Sequence, residues 1–136
     1  LTPGILNCIR AVEKEKAAVM NAMGYENVVH HPFMEKLMQY DKFPELDAFR
    51  SLAGPDSSNH RYIREDAAGG DSLLLSLAKT LNIQLPLITS LIHIASAVNG
   101  VDYFSQGLTL EKIGFTNPML SADTINTLLH DGFTSG

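Results

Sequence analysis

The sequence predicts an all-α fold. Apolar residues recur at steps of three, four and seven in successive segments, which is the spacing of one helix face. Proline, serine or aspartate precedes several of these segments, and glycine follows them. No segment alternates β-branched or aromatic residues with polar ones over the length of a strand. Because 45% of the 136 residues are hydrophobic, we expect one compact domain of about seven helices over residues 1–136.

Three helices are expected in the first part of the chain. The first runs from Gly4 to Met23, and Gly24 supplies its stop. A shorter helix follows Pro32, and a third begins at Pro44 and ends at Gly54-Pro55. The apolar stripe of the first helix consists of Ile5, Ile9, Val12, Val19 and Met23.

The stretch from Gly54 to Gly70 is expected to be irregular, because turn-forming residues are concentrated at both of its ends. Asp71 is then a suitable N-cap for a helix that ends near Asn82.

The last part of the chain predicts two helices and a short turn. Leu87–Asn99 is apolar almost all round, which is typical of a central core helix, and Gly100 closes it. Residues 109–114 predict one or two helical turns. Ser121 caps the final helix, which ends at Gly132. The residues expected to face inward from it are Ile125, Leu128 and Leu129.

Charge and composition exclude several classes of function. The formal net charge is −5 and the basic residues are scattered. We therefore expect no basic face that would bind nucleic acid or an anionic membrane. No segment reaches the ~20 apolar residues of a membrane span. A single cysteine, Cys8, favours a reducing, cytoplasmic setting, and its apolar neighbours predict a buried thiol. Since Leu1 is not an initiator methionine, we expect the chain to begin within a longer product or after processing.

The common motifs of catalysis and metal binding are missing. The sequence contains no G-x-G-x-x-G, P-loop, G-x-S-x-G, H-E-x-x-H or C-x-x-C pattern. His30 and His31 are adjacent and therefore point apart, so we expect no metal site there. His93 lies among apolar residues, which predicts a hydrogen-bonded core histidine. His130 lies near a helix C-terminus, where a cation is favoured.

The remaining candidate for a site is the charged run from Arg61 to Asp66. A run of mixed charge is most often a solvated face. This one lies in the irregular, glycine-bounded stretch, and loops on a rigid scaffold often carry sites. A guanidinium can bind a carboxylate bidentately, and the acids can orient a histidine or bind an ammonium.

The same run carries a resemblance to a known family. The pattern G-P-x-S-x-x-x-R-Y-I-x-E-D over Gly54–Asp66 resembles the most distinctive motif of the octopine/nopaline (opine) dehydrogenase helical domain. The resemblance implies a fold similar to the 6-phosphogluconate-dehydrogenase-like C-terminal domain. Further similar segments lie at residues 2–3, 12–16, 23–24, 76–83, 86, 92–96 and 107–114.

The resemblance implies an activity and two site residues. Family members join an amino acid to a 2-oxo acid such as pyruvate and reduce the imine with NAD(P)H. A Rossmann domain precedes the helical domain and binds most of the NAD or NADP, and the substrates lie between the two domains. Arg61 matches the arginine that binds a substrate carboxylate, and Asp66 matches the aspartate that pairs with a catalytic histidine. Tyr62 and Glu65 are expected to be structural neighbours of these two.

Three features depart from the family pattern. The family's catalytic histidine lies in an N-x-x-H-P segment before the opening helix, ahead of Leu1, and His31-Pro32 comes after that helix. The nucleotide-binding domain is absent from this chain. Asp66 is followed by Ala-Ala-Gly-Gly, where the family usually has valine, proline and an aromatic residue, so the amino acid substrate stays open.

Three hypotheses follow for function. The first is the substrate domain of a cytoplasmic opine dehydrogenase, which is inactive in isolation. The choice between NAD and NADP stays open, and so does the formation of a homodimer. The second is a helical dimerisation or regulatory domain that has lost the activity. The third is a helical adaptor that binds a peptide in an apolar groove. The enzyme hypothesis predicts that Arg61 and Asp66 face one cleft, near where the missing domain would dock. Five residues on an ideal helix span about 140°, so a turn or loop is needed for the two to converge.

Overall fold

The computed structural model describes residues 2–26, 32–52, 54, 56–58, 60–117 and 119–132, with the backbone alone at 32–34. These residues contain helices and their connections and no strand. The α-helices are α1 (Pro3–Ala22), α2 (Pro32–Leu37), α3 (Asp47–Arg50), α4 (Arg61–Glu65), α5 (Ser72–Thr80), α6 (Pro86–Asn99), α7 (Tyr103–Gln106) and α8 (Ala122–Asp131). Short 3₁₀ turns cover Pro44–Leu46 and Glu111–Ile113.

Helices α4 and α5 are joined by a π-helical turn, Asp66–Asp71, into one continuous helix over 61–80. Counting this run once leaves seven helices in the described residues, and the all-α prediction is confirmed. The prediction of an irregular stretch is wrong from residue 61 onward, where the chain is helical. Asp71 is no N-cap either, because its backbone is helical (φ −71°, ψ −39°) and its side chain makes no capping hydrogen bond.

The third helix ends at Arg50, before the predicted stop at Gly54-Pro55. The signals at Gly24, Gly100 and Ser121 were interpreted correctly. Gly24 and Gly100 follow α1 and α6 with left-handed φ values of 87° and 63°. Ser121 Oγ accepts a hydrogen bond of 3.2 Å from Thr124 N at the start of α8. Helix α7 was missed, although Asp102 caps it by accepting from two backbone N–H groups.

Two apolar clusters form the core. The larger joins α1, the π-turn, α5, α6 and α7, and the smaller joins the end of α1 to α8. The buried members of the larger are Val19, Ala67, Ala78, Leu85, Ile88, Ile92 and Tyr103. Those of the smaller are Met23, Leu110, Phe115 and Ile125.

Several burial predictions are wrong. Helix α6 is only half a core helix, because Ile88 and Ile92 are fully buried while its other side is exposed. Cys8 is exposed and Leu129 is 61% exposed. His93 is also exposed, and its ring centre lies 4.5 Å from that of the tilted Phe104 ring instead of in the core. The exposed apolar residues of α6 are Leu91, Ile94 and Val98. His30 and His31 lie outside the described residues.

Among the described helices, none is by itself long and apolar enough to cross a membrane. Pro86–Asn99 and Tyr103–Ile113 reach that length and composition only together, and they are bent by 109°.

The Glu15 carboxylate of α1 caps α6. It accepts hydrogen bonds from Leu87 N at 2.7 Å and Ile88 N at 2.9 Å. Helix α6 has no side-chain cap of its own at Leu85, and the first N–H groups of a helix have no partner inside it. An anion there also interacts favourably with the helix dipole. One side chain therefore fixes α6 against α1.

We expect Glu15→Ala to lower the free energy of unfolding by about 2 kcal/mol, because two partly buried N–H groups lose a charged acceptor. Glu15→Gln should fall between Ala and wild type, since it keeps one acceptor oxygen. Urea unfolding followed by circular dichroism measures this. Glu13→Ala, on the same helix, is the control and should change stability by less than about 0.5 kcal/mol. An equal loss for both alanine variants would show that helix propensity, and not capping, is responsible.

Candidate functional site

The π-turn Asp66–Asp71 is stabilised by hydrogen bonds from outside its own helical ladder. The Ser72 hydroxyl donates to Ala67 O and lies 3.3 Å from Tyr103 O. Leu108 N donates to Ala68 O at 2.7 Å. Two carbonyls of the turn thereby have partners from outside it, in keeping with the rule that buried backbone groups are hydrogen-bonded. Turns of this kind occur frequently at functional sites.

Gly107 allows the chain to approach the π-turn closely. A Cβ at this position would overlap the Ser72 side chain and the Tyr103 carbonyl oxygen. Only glycine fits between them, so the loop after α7 can reach the turn and supply the Leu108 N–H. The geometry of the site therefore depends on a residue about 40 positions from Asp66.

The π-turn and α1 form the two sides of a charged groove of about 420 Å³. Asp66, Gly70 and Asp71 lie on one side, and Lys16 lies on the other. The remaining lining residues are Val12, Met20 and Leu74. The groove therefore has two carboxylates facing one ammonium, with apolar residues between them, and we call it the Asp66 groove.

Asp71 is the electrostatically perturbed member of this group. Burial raises its pKa above the usual value, and the neighbouring charge of Asp66 raises it further, while Lys16 opposes the shift. The two carboxylates therefore repel each other, and a second cation in the Asp66 groove would relieve that repulsion.

Arg61 lies away from this groove. Its side chain is 69% exposed, and the guanidinium is 3.8 Å from the Glu65 carboxylate and 4.9 Å from the Tyr62 ring centre. A hydrogen bond with Tyr62 and the charge of Glu65 raise the pKa of Arg61, which keeps the group cationic. His60 Nδ1 accepts from Tyr62 N at 3.3 Å and caps α4.

Arg61 and Asp66 are not brought into one groove. Asp66 lines the Asp66 groove and a second groove of about 340 Å³ against α6, and Arg61 lines neither. The continuous helix explains this separation, because five helical steps place two residues on different sides of the axis. The turn or loop that would have let them converge is absent between residues 61 and 66.

Sequence reasoning missed Lys16, Gly70 and Asp71 as site residues. Lys16 was counted only among the scattered basic residues, and Asp71 was assigned to a cap. The Asp-x4-Asp spacing of 66 and 71 aligns two side chains on a π-turn but not on a regular α-helix, so the pattern could not be recognised without the turn. Within the described residues no group of three or more His, Cys, Asp or Glu side chains could hold a metal ion.

A family model described as "NAD/NADP octopine/nopaline dehydrogenase, alpha-helical domain" matches residues 1–99. The chain therefore belongs to the octopine/nopaline dehydrogenase family, and the resemblance found in its sequence is confirmed.

Individual relatives agree with this assignment. The chain is 30% identical over 123 residues to an opine dehydrogenase of Arthrobacter sp. (strain 1C), covering 85% of this chain and 34% of that protein. It is 24% identical over 132 residues to vitopine synthase of Allorhizobium ampelinum, covering 91% of this chain and 37% of that protein. Protein ocs of Agrobacterium tumefaciens is 22% identical over 117 residues, which cover 82% of this chain and 33% of that protein. The chain thus spans about a third of the length of these relatives.

Gly107→Ala should lower the free energy of unfolding by about 1–3 kcal/mol, because the added methyl group pushes Ser72 and the loop apart. Gly69→Ala is the matched control. A Cβ at Gly69 meets no atom within 4 Å and the residue lies inside a helix, so this change should be neutral or should stabilise by about 0.5–1 kcal/mol. Thermal unfolding of the two variants makes the comparison. Equal effects would show that the close approach at Gly107 is unimportant.

The raised pKa of Asp71 predicts a pH dependence of stability. The folded state holds this proton more tightly than the unfolded state, so the contribution of Asp71 to stability is fully present below the usual pKa of 3.8 and is lost as the pH rises through the raised value. Asp71→Asn should flatten this part of the curve and should raise stability near neutral pH. Urea unfolding at a series of pH values measures both effects. Asp41→Asn, an exposed control, should retain the wild-type slope; a slope unchanged in Asp71→Asn would contradict the prediction.

Proposed function

We propose that this chain is the substrate-binding domain of an NAD(P)-dependent opine dehydrogenase, which joins an amino acid reductively to a 2-oxo acid such as pyruvate. The observation that carries the proposal is the family match over residues 1–99, which includes the Arg61–Asp66 motif. The names of the opine dehydrogenase and vitopine synthase relatives support it.

Arg61 binds a substrate carboxylate in this proposal. Its guanidinium is exposed at the start of α4 and carries five donors in a planar fork, which suits bidentate binding of a carboxylate. The Glu65 pair at 3.8 Å is too long for a strong hydrogen bond and is exposed, so an incoming carboxylate can replace it.

Asp66 orients a catalytic imidazole supplied by an N-x-x-H-P segment ahead of α1. A carboxylate that accepts from one ring N–H fixes the tautomer and favours the protonated form, which suits proton transfer to or from the reacting substrate. Asp66 is exposed beside α1 and α6, so its carboxylate is accessible to a histidine from a neighbouring domain.

The described residues do not fit the nucleotide. NAD(P) binding in this class needs a strand, a glycine-rich turn and a helix, and neither the fingerprint in the sequence nor a strand in the described residues is present. We assign the cofactor to a preceding Rossmann domain, and the chain alone should be inactive.

A second candidate is a helical dimerisation or partner-binding domain without activity. The exposed apolar side of α6 favours it, because Leu91, Ile94 and Val98 are 42%, 59% and 60% exposed. The two candidates differ in turnover, which only the dehydrogenase shows.

The decisive assay follows NAD(P)H oxidation by the natural polypeptide that contains residues 1–136, with pyruvate and a panel of amino acids. Arg61→Ala should raise a substrate KM by about 10–100-fold with a smaller change in kcat, since it removes a charged hydrogen bond. Asp66→Asn should lower kcat on the order of 100-fold with KM nearly unchanged, since the imidazole loses its orientation.

Arg64→Ala and Asp123→Asn are the matched controls, because both side chains are exposed and neither lines the Asp66 groove. Both controls should retain wild-type kinetics. Near-normal kinetics for the Arg61 and Asp66 variants would remove those residues from the mechanism. A natural polypeptide without turnover on any amino acid would favour the inactive domain.

A further inference from the structure

An apolar cavity of about 310 Å³ adjoins the Asp66 groove. Met20, Gly70 and Leu74 line both spaces, so the two meet at these three residues. The cavity reaches the smaller core cluster, where Phe115 and Ile125 are buried. Its other lining residues are Met23, Tyr25, Leu73, Leu77, Leu110, Ile113 and Leu129.

The backbone does not require glycine at residue 70. Gly70 lies in the interior of the continuous helix, and it is not among the residues with positive φ. A Cβ there would meet no atom within 4 Å. Glycine inside a helix destabilises it by about 0.5–1 kcal/mol relative to alanine, with no packing or conformational gain to offset this. The open space at Gly70 is therefore the feature that glycine provides.

The two spaces differ sharply in chemistry. The Asp66 groove presents Asp66 and Asp71 opposite Lys16, which complements an ammonium and a carboxylate on one small molecule. The adjoining cavity is lined almost entirely by aliphatic, thioether and aromatic side chains. A charged group entering it would lose its hydration without a partner, whereas an apolar side chain would gain from leaving water.

We infer that the amino donor is an amino acid with an apolar side chain, bound across Gly70. Its ammonium lies beside Asp71, its carboxylate pairs with Lys16, and its side chain occupies the apolar cavity. Gly70 thus determines specificity, because it is the residue of the π-turn, other than the two aspartates, that lines the groove and also lines the cavity, and a side chain there would take up space where the two meet. The inference rests on the proposed function and adds the class of amino acid.

Substitution of Gly70 tests the inference in the natural polypeptide that contains residues 1–136. Calorimetry measures binding of leucine, alanine, arginine and glutamate, and NAD(P)H oxidation with pyruvate measures kcat/KM for each. Wild type should prefer leucine over arginine and glutamate by at least about 10-fold. Gly70→Leu should lower kcat/KM for leucine by about 10–100-fold, and that for alanine by less than about 3-fold.

Gly69→Leu is the matched control. Gly69 is the neighbouring glycine of the same π-turn, has open space around its Cβ position, and lines neither the groove nor the cavity. The preference of the Gly69→Leu variant for leucine should equal that of wild type. If circular dichroism shows that Gly70→Leu does not fold, Gly70→Ala replaces it. That variant should lower kcat/KM for leucine relative to alanine in the same direction by a smaller factor.

The outcomes separate this inference from the proposed function. Turnover with a preference for arginine or glutamate, or a preference unchanged by Gly70→Leu, overturns the inference while the dehydrogenase stands. Leucine binding that Gly70→Leu abolishes, without turnover of any amino acid, supports the site and overturns the dehydrogenase. Equal loss of all four amino acids in Gly70→Leu also overturns the inference.

Discussion

The described fold depends on one hydrogen-bonded constraint, the fixing of the π-turn by the Ser72 hydroxyl. Donors outside the turn satisfy two of its carbonyls, in keeping with the rule that buried backbone groups are hydrogen-bonded. Ser72 does this from within the helix, and Leu108 does it from the loop that Gly107 brings close. This turn therefore sets how the residues before Asp66 are rotated about the helix axis relative to α5. The orientation of Asp66 toward α1 is therefore set by contacts with α7 and the loop after it.

Helix ends governed by neighbours in the sequence could be predicted, and features governed by distant contacts could not. Gly100 and Ser121 act within a few residues of themselves, so their sequence signals were sufficient. The Gly69-Gly70 pair was interpreted as a break, which is its usual local meaning. Here distant hydrogen bonds keep the pair helical, and a local signal was overridden by tertiary structure.

The candidate site, like the fold, could be predicted only in part. Arg61 and Asp66 could be selected because a motif carried them, and the motif needs no three-dimensional information. Their separation follows from the unbroken helix between them, whereas the irregular stretch expected there would have allowed the two to converge. Lys16 was missed because it is separated by about 50 residues from the turn it faces. Alternating charges on α1 gave no indication that one of them faced a groove.

The Glu15 contact has a consequence for the order of folding. Its hydrogen bonds join residues separated by 72 and 73 positions, so the cap of α6 cannot form until a long loop has closed. Until then the first turn of α6 lacks acceptors, and its amide protons exchange freely with solvent. The Leu87 and Ile88 amides therefore report on docking of α1 rather than on formation of α6. Protection at these two sites should appear with the tertiary structure, later than protection in the middle of the same helix.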